Sequence, residues 1–268
     1  MRHRGAPMSH PPGPRPALPW LEPGQPFPPV EQAWGLGDPI PGLLAAGGAL
    51  DCASLQRAYS HGIFPWFSGE QPILWWSPDP RMALRPADFR LHPSLRKELR
   101  RGLRLGRIEI RIDSAFEHVL RACAGVPRAG QRGGSWIVPP MIEAYLAWHR
   151  AGAVHSVETW WDGELAGGLY CVNLGRMVFG ESMFSRRPNA SKIALAALVA
   201  CARAWQVPLI DCQQDTAHLA SLGARTLARS EFLQLVQRAI AAPAPQWQFN
   251  PLHWQALLEP SPNTPPAP

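Results

Sequence analysis

Residues 177–213 read MVFGESMFSRRPNASKIALAALVACARAWQVPLIDCQ, and this stretch decides the fold. Met177–Phe179 is apolar with strand propensity and breaks at Gly180, which predicts a short strand ending there. Asn189 or Ser191 can cap a following helix, and Ile193, Ala196, Ala197, Ala200 and Ala204 recur at helical spacing. Val207–Ile210 reads as a short buried strand ending at Asp211. If the two strands are parallel, the crossover brings Glu181 and Asp211 to the same end of one sheet. Carboxylates at strand ends beside a polar loop are where such sheets carry chemistry. The plainer alternative makes Glu181 a structural hydrogen-bond acceptor and Asp211 the cap of the next helix.

Upstream, Pro139 and Pro140 open a helix that Gly152 stops. Val154–Trp161 and Glu164–Val172 read as strands joined by Asp162-Gly163, a strong hairpin signal, and Arg176–Phe179 follows across Leu174-Gly175. Helix, three-strand meander, helix and strand suit an α+β mixed sheet of the acetyltransferase (GNAT) type, an analogy that does not itself fix a reaction. Such enzymes hold coenzyme A pyrophosphate on a Gly-rich turn at a helix start. Here ESMFSRRPNASK has no glycine after Gly180, which argues against a coenzyme A donor. Downstream, QQDTAHLASLG is a short helix stopped by Gly223, and Ser230 is the expected cap of a last helix, Glu231–Ile240.

The N-terminal part differs in texture. From Leu18 it is aromatic and Pro-rich; Asp51 is the expected cap of a helix over Cys52–Ser60, ended by His61-Gly62. GIFPWFSGEQPILWWSPDPRMAL then reads as an ordered aromatic loop and a short strand. Trp66, Trp75 and Trp76 beside Phe64 and Phe67 are either core or stacking surfaces for unpaired bases. Residues 92–111 carry Arg96, Lys97, Arg100, Arg101, Arg104, Arg107 and Arg111 against Glu98 and Glu109 alone. A helix from Pro93 would set Arg96 and Arg100 on one side with Lys97 and Arg101 beside them. Such a run is either a solvated face or a phosphate-binding ridge, and the second predicts salt-dependent RNA binding.

The chain of 268 residues is 46% hydrophobic and 17% charged, enough for an ordered core. A net charge of +6 and a pI near 9.5 favour a polyanionic partner. The five cysteines form no CxxC pair and read as reduced thiols. Neither a signal peptide nor a membrane span is visible, so a soluble, cytoplasmic protein is expected. The expected organisation is a disordered extension (1–17), a small aromatic domain (18–90), a catalytic domain (91–242) and a Pro-rich tail (243–268).

Taken together, GLLAAGG (42–48), HGIFPWF, PILWWSPDPR, SWI (135–137), AGAVHSVE (151–158), GESMFSR, NASK, LIDCQ and HLASLGA resemble the leucyl/phenylalanyl-tRNA–protein transferases over roughly residues 18–240. PWLEPGQPFPP is similar to that family's usual start. The resemblance implies a small N-terminal domain plus an acetyltransferase-like domain. It implies transfer of Leu or Phe, less well Met, from aminoacyl-tRNA to the N-terminal Arg or Lys of a protein, marking it for degradation through the N-end rule. The donor ester is already activated, so no ATP, metal or other cofactor is implied.

By the same resemblance, Asp211 and Gln213 match the catalytic positions, and Glu181 matches the group that receives the donor's α-ammonium. Leu169, Val178, Leu198 and Ile210 match the amino-acid pocket, with Met183 and Phe184 nearby. Aliphatic Val178 and Leu198 stand where aromatics can occur, which leaves the Leu:Phe preference open. Trp66 and Trp136 match positions expected at the terminal adenosine, and Arg96, Lys97, Arg100, Arg101 and Arg104 are the candidate RNA contacts. A monomer is expected. The competing functions are a coenzyme A-dependent N-acetyltransferase and a non-catalytic RNA-binding protein, for which Glu181 and Asp211 would be idle.

Overall fold

The computed structural model describes residues 17–126 and 135–258. The expected loose extension, up to residue 16, and the last ten residues of the expected tail lie outside them. A small sheet contains β1 (Trp20–Leu21), β2 (Leu43–Gly47), β3 (Phe64–Pro65) and β4 (Leu74–Trp76), in the order β1-β2-β4-β3. A larger sheet contains β5 (Arg81–Leu84), β6 (Ile108–Ile112), β7 (Val154–Trp161), β8 (Glu164–Leu174), β9 (Met177–Ser185), β10 (Ile210–Gln213) and β11 (Arg225–Leu227). Its order is β11-β5-β10-β9-β8-β7-β6. The helices are α1 (Cys52–Ser60), α2 (Pro93–Arg104), α3 (Phe116–Ala124), α4 (Pro139–Arg150), α5 (Ala190–Ala204), α6 (Ala217–Ser221), α7 (Arg229–Ile240) and α8 (Gln255–Leu258). Among the described residues no helix is long and apolar enough to cross a membrane.

The expected helix–meander–helix–strand order is present, and β9 and β10 are parallel, with Ile210 opposite Val178 and Asp211 opposite Phe179. The β7–β8 turn has φ of +53° at Asp162 and +84° at Gly163, the doubly left-handed backbone that a two-residue hairpin requires. At the β8–β9 turn, Gly175 has φ +56°, and a Cβ there would lie 2.5 Å from the Ile240 carbonyl. That glycine lets the turn dock on the end of α7, where the Arg176 N–H bonds the Ala239 carbonyl at 2.9 Å.

Alternation along the strands divides the core in two. Tyr170, Val172, Met177 and Phe179 pack with α1, α3, α4 and α7, whereas Leu169, Cys171, Val178 and Ile210 pack with α2 and α5. The sheet is thus covered on both faces.

Four expectations change. β9 does not stop at Gly180; β8 is long enough to pair with it as far as Ser185. β10 begins at Ile210 and contains Asp211, so Asp211 caps no helix; Thr216 caps α6 instead, accepting from the Leu219 N–H. Asn189 precedes α5 in left-handed conformation, but its side chain makes no cap bond and goes to Glu98. α7 starts at Arg229 rather than Glu231, because Asp79 Oδ1 accepts the Arg229 N–H at 3.0 Å where Ser230 was expected to cap.

The chain also passes from the small sheet to the large one between Trp76 and Arg81, well before residue 90. Residues 243–258, expected as tail, are packed: Trp254 and Leu257 enter the α5 core, and Trp247 stacks on His155 at 4.2 Å between ring centres. The Pro-rich composition hid these aromatic anchors.

Candidate functional site

Two bulges on adjacent strands build the site. On β9, Gly180 pairs with Cys171 and Ser182 with Tyr170, leaving Glu181 as the extra residue. On β10, Asp211 pairs with Ala83 and Gln213 with Met82, leaving Cys212 extra, and Gln213 has φ +56°. A bulge re-aims side chains and loosens pairing. Here the two turn Glu181 and Gln213 toward each other, with Gln213 Nε2 3.5 Å from Glu181 Oε1.

Glu181 faces two buried tyrosines. Tyr59 of α1 donates to Oε1 at 2.7 Å, Tyr145 of α4 donates to Oε2 at 3.3 Å, and the two hydroxyl oxygens are 2.5 Å apart. Burial pushes the Glu181 carboxyl up to about 8; the Asp211 charge adds to the rise, and the tyrosine bonds oppose it. Both tyrosine hydroxyls are held well above their usual range, first by burial and then by the Glu181 charge. Burial thus makes Glu181 a weaker acid than an exposed carboxylate.

Asp211 is fully buried and doubly bonded to Arg81, Nε to Oδ1 at 2.8 Å and Nη2 to Oδ2 at 2.6 Å. Oδ1 also accepts the Gln213 N–H at 3.0 Å. Arg81 further donates to the Gly62 carbonyl at 3.1 Å, and its guanidinium lies 4.7 Å from the centre of the Phe64 ring and 4.8 Å from that of Phe232. Both carboxylate oxygens are thus engaged within the protein.

Beside this polar cluster a cavity of about 320 Å³ opens toward α5. Leu169, Leu198 and Ile210 line it, whereas Val178 is fully buried and does not. Leu84, Met183, Leu195, Leu219 and Leu222 extend its apolar wall, with Glu181, Asp211 and Gln213 also in the lining. Neither Trp66 nor Trp136 lines it. Trp136 is buried, and Trp66 packs edge-on to Trp76. Trp75 and Trp76 are core, each donating its indole N–H to a backbone carbonyl.

The basic helix splits. Arg96 and Arg100, the second still exposed, donate to the carbonyls of Leu257 and Leu258 at the end of α8, whereas Lys97, Arg101 and Arg104 are exposed and, among the described residues, make no such bond to α8. Among the described residues no group of three His, Cys, Asp or Glu side chains is placed to hold a metal.

Arg81, Tyr59 and Tyr145 were missed as site residues. Arg81 sits in PDPR, where only a strand was visible, and the inward placement of Tyr59 on α1 did not reveal its polar partner. Arginine behind a Pro-rich turn and tyrosine on an apolar helix face give no local signal that they meet carboxylates, 130 residues away for Arg81, 122 for Tyr59 and 36 for Tyr145.

Residues 83–237 match the model of the leucyl/phenylalanyl-tRNA protein transferase family, and residues 48–79 match that of its N-terminal domain. A leucyl/phenylalanyl-tRNA–protein transferase of Polaromonas sp. is 60% identical, covering 91% of this chain and 95% of that one. Transferases of the same description from Albidiferax ferrireducens and Bordetella petrii are 59% and 58% identical, again over 91% of this chain and 96% and 97% of theirs. A GCN5-related N-acetyltransferase structure from Kribbella flavida covers 63% of this chain and 58% of its own at TM-score 0.30 and 14% identity, too slight a likeness to bear on function. With both family models matched in order and relatives near 60% identity over almost their full length, this chain belongs to the leucyl/phenylalanyl-tRNA–protein transferase family.

Proposed function

We propose that this protein transfers leucine or phenylalanine, and less well methionine, from aminoacyl-tRNA to the N-terminal Arg or Lys of cytoplasmic proteins, marking them for N-end rule degradation. The observation that carries this reading is the junction of the apolar cavity with Glu181 and Gln213: it offers an apolar side chain a pocket and its α-ammonium a carboxylate at the mouth.

In the reaction the acceptor amine attacks the aminoacyl ester carbonyl, a C–N bond forms, and the bond to the ribose oxygen breaks. In net, the proton that the amine loses ends on the ribose oxygen that leaves, so the step balances without an external acid or base. Glu181 receives the donor ammonium, whose charge stabilises the carboxylate. Asp211, engaged by Arg81 and by the Gln213 N–H, acts through Gln213 rather than by direct contact with the amine. It fixes the left-handed backbone that presents the Gln213 amide, whose oxygen can accept from the amine while its NH₂ donates. Holding both substrates at that amide supplies much of the rate.

The test uses tRNA charged with labelled Phe and acceptor peptides that begin with Arg, Lys or Ala. Label on the Arg and Lys peptides but not on Ala supports the reading. Label on all three, or on none, contradicts it.

A further inference from the structure

Lys97, Arg101 and Arg104 recur at i, i+4 and i+7 of α2 and form an exposed stripe. The stripe continues onto a second element. Asn189, at the start of α5, donates to Glu98 Oε2 at 2.8 Å, and Glu98 lies one turn before Arg101 on the same side of α2. Just before Asn189 the connection carries Arg186 and Arg187, both exposed. They border a hollow of about 560 Å³ with Trp161 and Leu165. The Arg187 guanidinium lies 4.0 Å from the centre of the Trp161 ring, and that of Arg186 lies 5.5 Å from the centre of the Phe184 ring while donating to the Leu165 carbonyl at 3.4 Å. Of the acids nearby, Asp162 is paired with Arg107, and Glu164 stands in the lining of the hollow. Guanidiniums braced on aromatic faces keep N–H groups free for an anion's oxygens.

Position gives this patch its meaning. From Glu181, at the cavity mouth, β9 continues to Ser185, a span of about 13 Å for four residues of strand. Arg186 and Arg187 therefore stand between the cavity and the α2 stripe.

We infer that Arg186 and Arg187 bind phosphates of the unpaired 3′ end of the donor tRNA, on its way from the α2 stripe to the cavity. The inference rests on the reading of the protein as a tRNA-dependent transferase. Only the single-stranded end of the tRNA can thread into the cavity, and a backbone-directed arginine pair suits a segment whose sequence need not be read.

The experiment compares the full-length protein with R186A/R187A, R186K/R187K and K97A/R101A/R104A. It measures binding of tRNA and of a short single-stranded RNA ending in CCA between 50 and 200 mM salt, with melting temperature alongside. R186A/R187A weakens both RNAs roughly tenfold, the sum of two exposed ionic contacts. It also reduces the salt slope for the short RNA by about 1.4, at about 0.7 per lost contact. The lysine pair restores most of the binding, and the α2 triple variant weakens tRNA but not the short RNA. Unchanged short-RNA binding by R186A/R187A, or equal loss of both RNAs in the α2 variant, overturns the inference. If the unaltered protein binds both RNAs yet transfers no amino acid, the transferase reading fails while the binding results still decide the role of the arginine pair.

Discussion

Arg81 and Asp211 close on each other through two hydrogen bonds of 2.8 and 2.6 Å, at a depth where Arg81 is 1% and Asp211 0% exposed. The pair joins β5, which follows directly on the small N-terminal sheet, to β10 of the β9–α5–β10 unit. Removing one partner leaves a buried charge unmatched, a loss of about 3–5 kcal/mol. Asp211→Ala should therefore lower the melting temperature by roughly 10 °C. The double change Arg81→Met with Asp211→Leu should melt above Asp211→Ala, because no charge is stranded. Thermal melting of the two variants checks this.

Glu181 ties stability to pH. Burial raises its carboxyl from the ordinary 4.5 to about 8 in the folded chain. The folded chain thus holds that proton more tightly, a contribution present in full below about pH 4.5 and lost as the pH rises through 8. Glu181→Gln removes this dependence. It should match the unaltered protein at pH 4.5–5 and melt several degrees higher at pH 8, while losing donor binding. Equal melting at both pH values would contradict a carboxyl raised by the fold.

Arg96, Arg100 and Arg203 all donate to carbonyls of residues 256–258, so α2 and α5 are strapped by the C-terminal segment. Trp254→Ala empties a core position and should cost about 3–5 kcal/mol. Truncation after residue 242 should lower stability further and weaken tRNA binding, since the strap that holds α2 is gone. Melting and tRNA titration separate the two effects.

Leu195 stands on α5 in the cavity wall. Leu195→Phe narrows the cavity, so use of Phe-tRNA should fall relative to Leu-tRNA by about tenfold, within the range of a methylene-scale fit. The ratio of kcat/KM for the two donors gives the answer.

Much of the catalytic half was legible because its signals are local. Asp162-Gly163 demands a tight hairpin, Pro139 opens α4, and the apolar spacing of α5 forces a crossover that makes β9 and β10 parallel. What escaped is long-range or depends on pairing. Nothing near Glu181 or Cys212 marks a bulge, because a bulge is a mismatch between two strands. Arg96 and Arg100 look like any exposed cations until residues 257 and 258 fold back onto them. Leu43–Gly47 was not identified as a strand, its small residues giving weak strand propensity, although β1 and β4 enclose it.

The most direct test of the proposed chemistry is the single-turnover rate of Phe transfer from Phe-tRNA to an Arg-initiated peptide, by the unaltered protein and by Gln213→Ala. The unaltered protein should transfer the label, and Gln213→Ala should bind the charged tRNA nearly as well yet transfer on the order of 10²–10⁴-fold more slowly. Transfer by Gln213→Ala within about tenfold of the unaltered rate, or none by the folded unaltered protein, would contradict the account.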